Sequence, residues 1–128
     1  MGQVLMIAMG GAIGTSVRYL TAQLAIRWLG MDFPWGTLAV NLTGAFLIGL
    51  VQELAALTSS IPENLRLFLV TGILGGMTTY SAFAYETARL TGLGEWGKAS
   101  TNVVATNILC LVLCWLGMVV ARSLTAPE

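Results

Sequence analysis

The sequence predicts an all-α membrane protein with four transmembrane helices. Of its 128 residues, 56% are hydrophobic and only 9% are charged, and the mean hydropathy is +0.81. A soluble domain normally carries about 25% charged residues, and a soluble chain of this composition would expose large apolar patches. Four apolar segments are each long enough for a bilayer core, which needs roughly 20 helical residues. The apolar surface therefore requires lipid.

The predicted spans lie at residues 4–29, 34–57, 65–90 and 98–120, within a single transmembrane domain over residues 1–128. The connections carry the charges and the helix breakers, in the stretches GMDFP, TSSIPEN and TGLGEWGK.

Several function classes are excluded by composition. The net charge is zero, so the chain lacks the basic surface of a nucleic-acid-binding protein. The sequence contains no histidine, the commonest general base and metal ligand, and we expect no enzyme. Cys110 and Cys114 form no CxxC motif and lie in an apolar run, which favours a buried reduced pair over a disulfide or metal site.

The Lys and Arg distribution gives almost no orientation signal. Four spans place both termini on one side of the membrane, with Arg66 and Arg122. The other side has Arg27, Arg89 and Lys98, and orientation follows such asymmetry. Two interpretations stay open: a weakly oriented protein fixed by its first helix, or insertion in both orientations as a dual-topology antiparallel homodimer.

Two GxxxG patterns predict close helix packing. Gly10 and Gly14 lie in the first span, and Gly72 and Gly76 lie in the third. Small residues let helix backbones approach each other in a membrane.

Polar residues inside the first two spans are candidates for function. Arg18 either snorkels from a tilted helix or attracts anions in an aqueous vestibule. Asn41 either donates hydrogen bonds to an anion or forms an interhelical hydrogen bond.

The fourth span has a stripe of Thr106, Cys110 and Cys114 at i, i+4 and i+8, which either lines a path or packs. The first span and the middle of the second contain no acidic residue. A cation-coupled transporter usually needs a carboxylate near the midplane, so this distribution favours an anion path.

The stretch GGMTTYSAFAYE, residues 75–86, predicts that the third helix is broken near Gly75–Thr79. Two glycines, two threonines and Ser81 weaken the helix in mid-membrane, and each freed carbonyl costs several kcal/mol if it stays unpaired. Freed carbonyls can coordinate Na⁺. The alternative is a glycine kink relieved by threonine hydroxyls.

Tyr80 and Phe83 are three residues apart and project from a similar helix face. Aromatic ring edges carry partial positive charge and offer an anion weak contacts. The alternative is that the two rings pack in the core.

These stretches resemble a known family. GGMTTYSAFAYE is similar to the GG-x-T-T-F-S-T-F-S-x-E signature of the Fluc (CrcB) fluoride channels. GAIGTSVRYL resembles the first-helix glycine and arginine motif of that family, and PWGTLAVNLTGAFLIG its second-helix asparagine motif. The resemblance covers essentially the whole chain.

The resemblance implies a fluoride-specific passive channel that exports fluoride across a prokaryotic plasma membrane as an antiparallel dual-topology homodimer. It also implies one structural Na⁺ at the dimer centre, which is not transported and is held by the backbone carbonyls of Gly75 and Thr78. A larger set of residues is assigned to the fluoride path by motif position or by polarity: Arg18, Asn41, Tyr80, Ser81, Phe83 and Thr106.

The chain departs from the family pattern at a few positions. Tyr80 replaces the usual Phe, and Ala82 and Ala84 replace the usual Thr and Ser. Cys110 and Cys114 stand where hydroxyl residues are common.

The alternative function is a small dual-topology multidrug or guanidinium exporter, but that class requires a membrane-embedded Glu that residues 4–29 do not contain.

Overall fold

The computed structural model describes residues 1–126 and contains four long helical spans. The spans are Gly2–Leu29, Trp35–Leu57, Glu63–Gly92 and Trp96–Thr125. Each is long and apolar enough to cross a membrane, which confirms the predicted all-helical class and the number of spans. Many large apolar side chains face outward, as lipid requires: Leu5, Leu20, Leu24, Leu111 and Trp115 are all more than half exposed.

The spans begin and end where the sequence supplies breakers and charges. Pro34 and Pro62 occupy the N-cap positions of the second and third spans. Gly30 ends the first span with a positive φ of 85°, which glycine adopts without steric cost. The fourth span continues through Arg122 to Thr125, and Arg122 pairs with Glu53 of the second span at 2.7 Å.

Two spans are not uniformly α-helical. The third consists of Glu63–Arg66, the π-helical segment Leu67–Leu74, the short turn Gly75–Met77 and the helix Tyr80–Gly92. The fourth consists of Trp96–Val104, the π-helical Ala105–Leu109 and Cys110–Thr125. π-Helical segments are rare and frequently lie at functional sites.

The first span packs closely on the third through the predicted glycines. A Cβ at Gly10 would lie 2.6 Å from the Phe68 carbonyl oxygen, and one at Gly76 would lie 2.7 Å from the Gly11 carbonyl oxygen. Gly14 and Gly72 are equally confined by the facing backbone. The two GxxxG predictions are therefore confirmed as a single interface.

The second span packs on the fourth through a glycine pair that the sequence analysis did not identify. Gly49 lies against the Cys114 carbonyl, and Gly117 lies against the Phe46 carbonyl. The two glycines are on different spans, so no GxxxG spacing within one helix indicated them.

Cys110 and Cys114 are both free and only half-buried, not fully buried as expected.

Candidate functional site

The backbone is extended at two residues in the middle of the third span. Thr78 has φ −81° and ψ 153°, and Thr79 has φ −154° and ψ 115°. Gly75 keeps helical dihedrals, φ −63° and ψ −38°. The Thr78 N–H and hydroxyl both donate to the Leu74 carbonyl, at 3.0 and 2.8 Å. The extended residues are thus the threonines, and the glycines before them stay helical.

Asn41 from the second span lies beside the extended residues. Its Oδ1 accepts a hydrogen bond from the Thr79 N–H at 2.8 Å, and its Nδ2 donates to the Thr79 carbonyl at 3.1 Å. In a continuous α-helix the Thr79 N–H would donate to the Gly75 carbonyl instead. Asn41 is 9% exposed and forms the interhelical hydrogen bond that was one of its two expected roles. The amide has a second N–H that this pair does not use.

Thr79 also begins the next helix. Its Oγ1 accepts from the Ala82 N–H at 3.2 Å and lies 3.2 Å from the Ser81 hydroxyl oxygen. The helix Tyr80–Gly92 therefore starts with a side-chain cap beside the Asn41 amide. A helix N-terminus presents free N–H groups and a partial positive charge.

The predicted aromatic pair is present. The rings of Tyr80 and Phe83 are 5.2 Å apart between centroids and inclined by 50°. Phe83 is 5% exposed and packs inside the chain, whereas Tyr80 is 73% exposed. Ser81 is exposed beside Tyr80. The pair therefore joins the interior of the bundle to its outer surface.

The two residues expected to hold Na⁺ have different surroundings. Gly75 is exposed, and a Cβ built there would meet nothing nearer than the Val70 carbonyl oxygen at 3.6 Å. Thr78 is half-buried, and its methyl group lies against Gly44 of the second span. Space beside Gly75 is therefore open in this chain.

Thr106 is connected to the aromatic pair by a hydrogen-bonded chain. Its hydroxyl donates to Asn102 Oδ1 at 3.4 Å, and Asn102 Nδ2 donates to the Thr87 hydroxyl at 2.9 Å. The Thr87 hydroxyl donates in turn to the Phe83 carbonyl at 2.7 Å. Asn102 is 1% exposed, so this chain fixes the fourth span to the helix that carries Phe83.

Glu86 lies on the wall of a cavity of about 400 Å³. The Thr37 hydroxyl donates to its Oε1 at 2.7 Å, while Oε2 is buried without a hydrogen-bond partner within residues 1–126. The cavity lies at the end of the bundle that carries the first and third connections, and its lining includes Asp32, Arg89 and Lys98. This end of the bundle is both open and charged.

Arg18 does not line this cavity. Its side chain is half-buried in the first span and takes part in none of the salt bridges formed within the described chain. The first span contributes Ala22, Ala25 and Ile26 to the cavity wall, and Arg18 lies about one turn before Ala22. The structure therefore brings Asn41 to the third-span interruption, whereas Arg18 forms no side-chain hydrogen bond or salt bridge within residues 1–126.

The sequence analysis missed three partners at this site. It did not identify Thr79 as the partner of Asn41, Thr87 as the partner of Asn102, or Thr37 as the partner of Glu86. The signal was present, because a polar residue in an apolar span must find a hydrogen-bonding partner. A single sequence does not say which residue on another span that partner is.

Comparison with known proteins places the chain among membrane channels. The family model described as CrcB-like protein, Camphor Resistance (CrcB), matches residues 5–118. A Geobacter sulfurreducens protein named fluoride-specific ion channel FluC is 51% identical, over 97% of this chain and 100% of its own length. Proteins of the same name from Geobacter metallireducens and Sorangium cellulosum are 48% and 47% identical, each over 94% of this chain and over 98% and 94% of their own lengths.

The family match includes the third-span interruption, the Asn41 position and the aromatic pair, and it reaches into all four spans. The relatives are nearly the same length as this chain, so the likeness is not confined to one motif. On these grounds the chain belongs to the CrcB family.

Proposed function

We propose that the chain is a fluoride-specific passive channel that exports fluoride across a prokaryotic plasma membrane and so lowers its toxicity in the cytoplasm. The observation that carries this proposal is the likeness, over 94–97% of the chain, to proteins named fluoride-specific ion channels. The proposed activity is permeation, so no bond is made or broken and the chain is not an enzyme.

The groups around the interruption suit a small, strongly hydrated anion. The anion enters the channel only if hydrogen-bond donors replace its water. It leaves only if those contacts are weak or shared between several sites. Such donors are the second N–H of Asn41, the Ser81 hydroxyl and the first-turn N–H groups that lie between Thr79 and the capped Ala82 N–H. The ring edges of Tyr80 and Phe83 add weaker contacts.

Arg18 and Thr106 have supporting roles in this proposal. Arg18 attracts the anion to the pathway electrostatically, because a cation without a salt bridge to any of residues 1–126 raises the local anion concentration. Thr106 holds the fourth span against the helix that carries Phe83 through Asn102 and Thr87. Phe83 is therefore the path residue whose position is most tightly fixed.

An antiparallel dual-topology homodimer is supported by the outer surface of the third span. Gly75, Tyr80 and Ser81 are all exposed there. In hydrocarbon each unpaired backbone group costs several kcal/mol, so this surface needs a partner. A two-fold axis in the membrane plane brings the same surface of a second, inverted copy against it.

A structural Na⁺ at the dimer centre fits the same surface. Because the Thr79 N–H donates to Asn41, the Gly75 carbonyl does not receive the hydrogen bond that a continuous helix would give it. Gly75 is exposed with open space beside it, and Thr78 follows within the same turn. Two carbonyls from each copy would give a hard cation four oxygen ligands.

Phe83→Ile tests the fluoride path in liposomes. The wild-type protein should release fluoride and retain chloride. Phe83→Ile keeps the bulk and apolarity of the side chain but removes the ring edge. Fluoride then loses a contact that compensates for its lost water. A barrier rise of about 2.7 kcal/mol would slow efflux roughly a hundredfold. Efflux and dimer content should be measured on one preparation.

The matched control for this experiment is Phe68→Ile, the same change on the half-buried early part of the third span. It should leave efflux within about threefold, since a conservative core change costs about 1 kcal/mol or less of stability. An intact Phe83→Ile dimer with near wild-type efflux would show that Phe83 only packs and does not contact the ion. If liposomes with wild-type protein release chloride as fast as fluoride, the proposed fluoride-specific function is wrong.

Dual topology is tested by labelling a single cysteine at a tagged terminus, after Cys110→Ser and Cys114→Ser remove the native thiols. An impermeant maleimide should label the terminus on both faces of the cell membrane in comparable amounts. Asp32→Lys is the control, because it adds a positive charge to one side and should shift the ratio. One orientation in every molecule would rule out the antiparallel dimer.

Removal of Na⁺ tests the proposed cation. Purification with N-methylglucamine in place of Na⁺ should convert dimer to monomer or abolish efflux, while the helical content by circular dichroism stays constant. Restoring Na⁺ should reverse the change. Fluoride currents that carry Na⁺ in proportion would show a transported ion and contradict a structural one.

A further inference from the structure

We infer that Cys110 and Cys114 form a two-thiol site for a soft d¹⁰ metal ion that prefers linear coordination, with Hg²⁺ as the representative ion. Both cysteines are free, both are half-buried, and both lie in the α-helix Cys110–Thr125. The test of this site is metal binding, which does not depend on the proposed fluoride transport.

The helix geometry favours a bridging ion over a disulfide. Residues at i and i+4 of an α-helix have Cβ atoms about 5–6 Å apart. A disulfide needs Cβ atoms about 3.5–4.5 Å apart, so this pair is too widely spaced for one. Two metal–sulfur bonds of about 2.3 Å, the Zn–S length, span about 4.6 Å in line, which sulfurs on Cβ atoms about 5–6 Å apart can reach by side-chain rotation.

The surroundings restrict which metal fits. The described residues contain no group of three or more His, Cys, Asp or Glu that can hold a metal, so one chain does not supply the tetrahedral shell of Zn²⁺. Thiolates select soft ions. Binding replaces two S–H bonds with two S–Hg bonds and releases two protons, so the product is neutral. A neutral product suits an apolar span, where net charge is costly.

The backbone around the pair holds the two thiols in register. The Cys114 carbonyl packs against Gly49, and Gly117 one turn later packs against the Phe46 carbonyl. Both thiols lie on the stripe that runs from buried Thr106 to buried Gly117, at the edge of the interface with the second span. The partial exposure of both residues gives the ion access.

Competition with a monothiol tests the site on detergent-solubilised, full-length protein. Wild type should bind one Hg²⁺ per chain and keep it against at least about a hundredfold more 2-mercaptoethanol than Cys110→Ser or Cys114→Ser, because the second thiol acts intramolecularly. Elution volume on gel filtration should be unchanged, since serine conserves shape.

A second variant tests whether the i, i+4 spacing of the two thiols is required. Val112→Cys in the Cys114→Ser background has two thiols at i and i+2, which do not face each other on a helix. This variant should release Hg²⁺ as easily as the single-thiol variants. Equal retention by wild type and the single-thiol variants, or tight retention by the i, i+2 pair, would overturn the proposal.

Discussion

The hydrogen bonds between the Asn41 side chain and the Thr79 backbone are the interaction on which the rest of the site depends. An extended residue inside a membrane would leave both of its peptide groups unpaired, at several kcal/mol each. The amide of Asn41 supplies one acceptor and one donor, and so satisfies the Thr79 N–H and carbonyl together. Thr79 is then free to cap the next helix, which fixes the direction in which Tyr80 and Phe83 project.

Close packing at glycines lets the Asn41 side chain reach the Thr79 backbone. Asn41 has a short side chain and reaches Thr79 only because the second and third spans approach closely, where Gly44 lies against the Thr78 methyl group. The first span supports the other side of the third through Gly10 and Gly76, and the second span is held to the fourth by Gly49 and Gly117. The glycines therefore position the polar groups as well as packing the helices.

The sequence predicted the class, the number of spans and close packing at Gly10/Gly14 and Gly72/Gly76, because these follow from hydropathy and from spacing within one helix. It did not predict that these two glycine pairs pack against each other. It also predicted a break near residues 75–79 and attributed it to two glycines, two threonines and Ser81 together. Of these residues, Thr78 and Thr79 have extended dihedrals and Gly75 stays helical. The hydrogen-bond partners of Asn41, Asn102 and Glu86 lie 38, 15 and 49 residues away. Such pairs depend on how the spans pack, which local patterns do not encode.

The central claim is that Asn41 holds Thr79 extended, and NMR of isotope-labelled protein in detergent tests it most directly. The wild-type protein should combine extended carbon shifts at Thr79 with a protected amide. Asn41→Leu should abolish that combination: the amide either exchanges at least about tenfold faster, for a lost hydrogen bond of about 1.4 kcal/mol, or the residue turns helical. Thr43→Leu, the same polar-to-apolar change at an exposed position of the second span, should leave Thr79 unchanged. An extended Thr79 with a fully protected amide in Asn41→Leu would contradict the account.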